Sequence, residues 1–386
     1  MRIPLAYNLR SLMVRKVTTL MTMLGIALVV ATFVALMAMA SGLDRTLRSS
    51  GVPENVIFLR KGAVADATSS LTIEQFRALS ELPEIMTRPD VGTLASPELV
   101  CQLLWRRRDG GNGNVILRGV RPVAFAVRGD IRIEKGVTLQ ARSDHLVVGR
   151  RIPTRYPGFE LGSKVQLFLR EYTVVGIMSA AGGVYESEIW CDLDGLASDT
   201  RRSYYSAVVT KLKKASLFDD LSRRVDADPR IALEPRREVD YFDEQSESAR
   251  RLRDLWMGIA LLMGIGAALA AMNTMYAAIA ARTKEIGTLR VLGFTRAEIT
   301  ASFIVEAVFL ALPGGILGCL LAIPVDGWTM GTLNLRSMSD VTFSFTISVP
   351  IILGALILSI LIGFLGGLLP ACQGTSVPIT RALREF

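Results

Sequence analysis

The chain has 386 residues and a mass of 42.1 kDa, with 50% hydrophobic residues, 21% charged residues and a mean hydropathy of +0.37. This is two or three domains' worth of chain, and its apolar excess excludes a disordered or fibrous protein and points to a membrane protein. The net charge of +8 is compatible with a nucleic-acid partner, an anionic membrane surface or neither; four cysteines and one histidine exclude a disulfide scaffold and a zinc site built on several histidines.

A helix needs about 20 mostly apolar residues to cross the hydrocarbon core. Residues 17–40 and 255–281 carry no charge, 299–325 carries only Glu306, and the uncharged stretch 341–380 has its apolar centre at 347–369. Four transmembrane helices are therefore expected, over 17–40, 254–281, 299–325 and 347–373. Arg15 and Lys16 before the first span, and Ala38-Met39-Ala40 at its end, look like parts of a signal peptide. The apolar run is longer than the about 7–15 residues of such a segment, so a retained anchor is expected. Arg2, Arg10, Arg15 and Lys16 precede the first span, Arg282, Lys284, Arg290 and Arg296 lie between the second and third, and Arg381 and Arg384 close the tail, against Arg336 alone in the 326–346 loop. The positive-inside rule puts both termini and the 282–298 loop in the cytoplasm, and residues 41–253, too long to count, outside. The expectation is a multi-pass membrane protein.

Residues 41–253 are enough for a full domain. Leucines 43 and 47 can continue the first span outward as a helix. The runs 56–59, 115–117, 146–148, 165–169 and 172–177 are β-rich and bounded by Gly, Pro or charge, as strands are. Residues 72–82, with Thr72 as N-cap, and 215–225 have helical spacing. The fold class is thus four transmembrane α-helices with a large α+β extracytoplasmic domain between helices 1 and 2. Asp109-Gly110-Gly111-Asn112-Gly113-Asn114 is a hairpin turn, without the GK[ST] that a phosphate cradle requires. His145 has no G-x-S-x-G partner and is expected to be structural. Arg106-Arg107-Arg108 reads as a solvated strand face, with lipid phosphate or an acidic partner as the other reading. Cys101 and Cys191 could form one disulfide in an oxidising compartment, while Cys319 and Cys372 fall in or beside spans as packing residues.

The 282–298 loop turns from apolar to amphipathic. Ile286, Leu289 and Leu292 are three residues apart, Arg282, Lys284 and Arg290 lie off that line, Gly293 ends the helix, and Thr295 with Glu298 forms a capping box for the next. A helix lying on lipid headgroups and a docking surface for a soluble partner both satisfy this pattern. Glu306 is an ionisable group within a span, where such groups are functional by default. It lies close enough to the cytoplasmic end to snorkel or to meet a neighbouring helix terminus. Further intramembrane acids or histidines, which a proton relay would need, are absent. Gly314 with Gly318, and Gly363 with Gly367, have the i, i+4 spacing of close helix contacts, and Gly258, Gly264 and Gly266 line the second span.

The pattern R-x-K-E-I-G-x-L-R-x-L-G-F from Arg282 to Phe294 is followed by Phe303-Ile304-Val305-Glu306-Ala307 and Gly314-Gly315-Ile316-Leu317-Gly318. Together they resemble the MacB/FtsX-type permeases of ABC transporters. Leu146-Val147-Val148-Gly149-Arg150-Arg151, Gly158-Phe159-Glu160-Leu161-Gly162 and Tyr172-Thr173-Val174-Val175-Gly176-Ile177 are similar to that family's periplasmic core domain. Leu369-Pro370-Ala371 and Pro378-Ile379-Thr380-Arg381-Ala382-Leu383-Arg384 are similar to its closing motif.

The resemblance implies a permease of a bacterial inner membrane that works as a dimer, with a second copy or a related chain, each docked on an ATP-binding subunit. The chain has no G-x-x-x-x-G-K-[ST], so it is expected to be no enzyme and to bind no cofactor itself, with ATP and Mg on the partner. Residues 282–298 would hold the coupling helix, with Lys284, Glu285 and Arg290 in charged contacts, Arg282, Ile286 and Arg296 in the same element, and Gly287 and Gly293 allowing close approach. Residues 1–16 would form an amphipathic helix along the membrane with Leu5, Leu9, Leu12 and Met13 on one face, and 374–386 a cytoplasmic tail. Glu306 would have a structural or coupling role. Export or extraction of a substrate is the expected function, with a periplasmic adaptor and an outer-membrane channel as further partners. The alternative is an FtsX-like transmitter that switches a cell-wall hydrolase.

Overall fold

The computed structural model describes residues 16–334 and 339–378; nearly all of the 1–16 segment, Arg336 and the end of the tail fall outside the described residues. In chain order the helices are α1 (Lys16–Arg48), α2 (Ile73–Ser80), α3 (Val123–Val127), α4 (Ile152–Arg155), α5 (Leu193–Thr200), α6 (Phe218–Ala227), α7 (Glu238–Ala280), α8 (Thr283–Val291), α9 (Arg296–Ala322) and α10 (Val349–Ser376). The strands are β1 (Asn55–Arg60), β2 (Thr87–Arg88), β3 (Gly92–Thr93), β4 (Ala95–Arg106), β5 (Asn112–Val120), β6 (Arg132–Gly136), β7 (His145–Gly149), β8 (Lys164–Leu167), β9 (Arg170–Ser179), β10 (Glu188–Asp192), β11 (Ala207–Lys211), β12 (Leu233–Arg237), β13 (Thr329–Asn334) and β14 (Ser339–Ser344). The described chain divides into two compact units, residues 16–41, 251–328 and 345–378 forming one, and 42–250 with the described part of 329–344 the other.

The first unit holds the apolar lengths of α1, α7, α9 and α10, the four helices long and apolar enough to cross a membrane. Small residues set how closely they pack. On α9, Gly314 and Gly318 face α1, where an added Cβ would lie 2.9 Å from Met23 O and 2.6 Å from Ala27 O. Gly363 and Gly367 of α10 face Ala307 and Ala311 of α9, and Ser359 Oγ donates to Ala311 O at 2.9 Å. Gly264 of α7 lies against Leu358, whereas Gly258 and Gly266 meet nothing within 4 Å. Ile26, Val30, Val34, Leu310, Ala311 and Ile362 make the common core.

The second unit is α+β, and strands outnumber helices as expected. A ten-stranded mixed sheet runs β12-β1-β11-β4-β5-β10-β7-β9-β6, with β8 also on β9. The pairs β5/β10 and β7/β9 are parallel and the rest antiparallel. In β4 the first seven residues are all buried and the last five alternate, so one half is covered on both faces and the other on one. One strand beyond the expected five carries charges at buried positions: β10, Glu188-Ile-Trp-Cys-Asp192, is wholly buried. The β-rich run 165–169 ends as a strand at Leu167: Phe168 and Leu169, expected to continue it, are the turn between β8 and β9. Thr72 caps α2 through a capping box, and the first helix continues to Arg48.

The residues read as a plain loop at 326–346 contain the antiparallel β13–β14 hairpin, which belongs to this second unit. Cys101 and Cys191 are both free and buried. They sit on β4 and β10, which flank β5. Two strand spacings of about 4.8 Å separate them, beyond the reach of a disulfide.

Candidate functional site

The connection from α7 to α9 is built on a short helix with an inward and an outward side. Gly293, at φ +95°, adopts the left-handed turn that closes α8, and Thr295 and Glu298 form the capping box that opens α9. Ile286 and Gly287 are buried, and Ile286 packs with Met275, Ile279, Ile299 and Phe303. Leu289 packs against the same cluster, but Leu292, expected on that face, is 65% exposed because α8 ends at Val291.

Of the charged residues, Arg282 and Arg290 are drawn inward. Arg282 Nη1 lies 3.1 Å from Glu306 Oε2, with their side chains 12% and 6% exposed, and Arg290 Nη1 donates to Val377 O at 3.0 Å. Arg282 thus ties the start of α8 to α9, and Arg290 ties its end to the foot of α10. Lys284, Glu285, Gly293 and Arg296 face outward. The loop therefore divides into residues that hold it (Arg282, Ile286, Gly287, Arg290 with Glu306) and residues it presents.

The second unit contains a cluster that sequence reasoning did not single out. Arg118 on β5 grips Glu188 of β10 with two bonds of 2.7 Å, and reaches Asp66 at 3.0 Å and Glu98 of β4 at 2.8 Å. Arg128 holds Glu98 with both terminal nitrogens and lies 3.6 Å from Glu238. Glu238 is the first residue of α7; it also accepts from Tyr185 OH at 3.0 Å, Asn55 Nδ2 at 2.9 Å and Val52 N at 3.2 Å. The Arg128 guanidinium stacks 4.8 Å from the Tyr185 ring centroid. All of these ionisable groups are buried.

Burial alone would raise the carboxyl of Glu98, but Arg128 and Arg118 outweigh it and hold the group below its ordinary value. Burial also drives the Tyr185 phenol well above its usual range, which keeps it a donor. The cavity here is about 30 Å³, room for one or two waters. No nucleophile and base are paired in the cluster, and among the described residues no group of three or more His, Cys, Asp or Glu is placed to hold a metal. Its effect is mechanical: the first turn of α7 is fastened into the domain. The visible signal was Arg118 inside the apolar run Val115-Ile116-Leu117-Arg118-Gly119-Val120.

A second fastening holds the β13–β14 hairpin. Asp340 lies 3.4 Å from Arg155 and accepts from Tyr156 OH at 3.2 Å, and Ser187 Oγ accepts from Thr342 N at 3.1 Å. Arg151 donates to Thr342 O. Burial, then Asp340, push the Tyr156 phenol up to about 12. Arg107 donates to Asn112 O and Arg108 pairs with Glu160, so two members of the expected solvated arginine run brace the β4–β5 turn.

Residues 19–228 match the family model described as MacB-like periplasmic core domain, and residues 257–379 match FtsX-like permease C-terminal. The chain is 22% identical over 412 residues to the macrolide export ATP-binding/permease protein MacB of Mannheimia succiniciproducens, covering 98% of this chain and 60% of that protein. It is 23% identical to the uncharacterized ABC transporter permease YvrN of Bacillus subtilis, covering 98% of each. The chain spans about 60% of the length of the first curated relatives it matches. Among solved structures, the periplasmic region of MacB from Actinobacillus actinomycetemcomitans aligns with a TM-score of 0.37 at 13% identity, over 52% of this chain and 95% of that one.

Proposed function

Because the chain belongs to the family of MacB/FtsX-type ABC transporter permeases, we propose that it couples ATP hydrolysis by a separate ATP-binding subunit to motion of its extracytoplasmic domain, and that this motion serves export or extraction of a substrate. In this reading α8 is the coupling helix, lies on the cytoplasmic side, and enters the partner with Lys284 and Glu285, while Arg296 at the start of α9 adds a further contact. ATP and Mg are bound by that partner, and the permease acts as a pair. The observation that carries the reading is the two-sided build of α8: Arg282 bound to Glu306 of α9 and Arg290 to Val377 beyond α10, with Lys284 and Glu285 turned outward. A load applied to the outward side is passed to the feet of two spans. Nucleotide can drive the domain only through a difference in affinity for two conformations of this loop.

The test is affinity purification of the full chain in detergent from native cells, with an ATPase assay on the eluate. A co-eluting ATP-binding subunit is expected with the wild type. With Lys284→Ala and Glu285→Ala together, its recovery is expected to fall at least tenfold while the permease keeps its Tm. Wild-type chain eluting without ATPase activity would overturn the assignment.

A further inference from the structure

The turn between β8 and β9 spends backbone strain on displaying two apolar side chains. Leu167 pairs with Arg170, so Phe168 and Leu169 alone form the loop. Phe168 has φ +52°, at the first central position, where tight hairpins place Gly, Asn or Asp; a bulky residue there is an outlier. Neither side chain gains burial in return: Phe168 is 43% exposed and Leu169 88%, the highest value among the large apolar side chains of the described residues. The base of the hairpin is held firmly. Asp199 of α5 accepts from Arg170 Nε at 2.7 Å and from Tyr172 OH at 2.8 Å.

We propose that this tip is an anchor for a soluble extracytoplasmic protein that presents a small apolar pocket. The charges beside the tip are already matched within the chain, Arg170 with Asp199 and Asp144, and Lys164 with Glu171 at 2.7 Å. It therefore lacks the surplus basic charge that draws a surface to anionic lipid. Two side chains on a convex turn are far too small for a stable interface between copies, which needs on the order of 1,200–2,000 Å². They are the size of a single anchor in a transient contact, on a turn whose base is already fixed before binding. This inference does not depend on what the coupling stroke moves.

The experiment places the photoreactive residue p-benzoylphenylalanine at position 169 of the full chain in native cells. An adduct with a soluble extracytoplasmic protein, mapped by mass spectrometry to an apolar pocket, is expected, with its yield falling at least tenfold when Phe168→Gly is added. An adduct between two copies, an adduct with lipid alone, or none would overturn the proposal. In parallel, Phe168→Gly with Leu169→Asn supplies a relaxed turn and should raise the Tm of the purified chain by about 2–4 °C. A fall in Tm would mean that the two side chains serve the fold, and would also overturn it.

Discussion

Arg118 and Arg128 face four carboxylates, those of Asp66, Glu98, Glu188 and Glu238, inside a domain where an unpaired charge would be very costly. Glu98 is the shared member, bonded to both guanidinia. Its folded-state pKa lies below 4.5, so it contributes stability that is fully present above about pH 4.5 and is lost as pH falls through the lower folded value. Glu98→Gln should cost roughly 3–5 kcal/mol at pH 7, because it breaks a buried pair from one side. The gap to wild type should shrink as both are taken towards pH 3. Denaturant titrations followed by the fluorescence of Trp190, which donates to Glu188 at 2.9 Å, would measure this. A gap that stays constant with pH would contradict it.

At the scale of elements, glycine placement decides which helices touch. Gly318→Ala puts a methyl 2.6 Å from the backbone carbonyl of Ala27, which cannot move aside as a side chain can, so α1 and α9 must separate. A loss of about 1–3 kcal/mol is expected, read as a lower Tm in detergent. Gly258→Ala meets nothing within 4 Å and should leave Tm unchanged or raise it, since alanine is the better helix former by about 1 kcal/mol. Periodicity and capping made much of this scale legible in the sequence. Thr295 and Glu298 announce α9, Thr72 announces α2, and uninterrupted apolar length announces the spans. The β13–β14 hairpin was not legible, because Val341 and Phe343 merge into the uncharged stretch that leads to α10. Nor were the contacts of Asp340 with Arg155 and Tyr156, which lie more than 180 positions apart in the chain. The inward turn of Arg282 was hidden for a related reason. Its local pattern matches a surface helix, and only the buried Glu306, 24 residues on, shows where it points.

For the whole molecule, the chain passes between its two units four times: within α1, within α7, and at both ends of the β13–β14 hairpin. The folded domain fastens two of these routes on its own side, α7 through Glu238 and the hairpin through Asp340 and Thr342. On the other side, Arg282 and Arg290 fasten α8 to α9 and to the end of α10. Under the proposed function, a movement of α8 is what these contacts would transmit.

The most direct measurement of this coupling uses the permease reconstituted in lipid with its ATP-binding subunit. Spin labels are placed at Val137, 57% exposed in the domain, and at Leu321, 55% exposed on α9, and their separation is followed before and after ATP and Mg. The expected result is a shifted distance distribution in the wild type that is lost in Glu306→Gln while ATP hydrolysis continues. An unchanged distribution in a wild-type complex that is hydrolysing ATP would contradict the coupling.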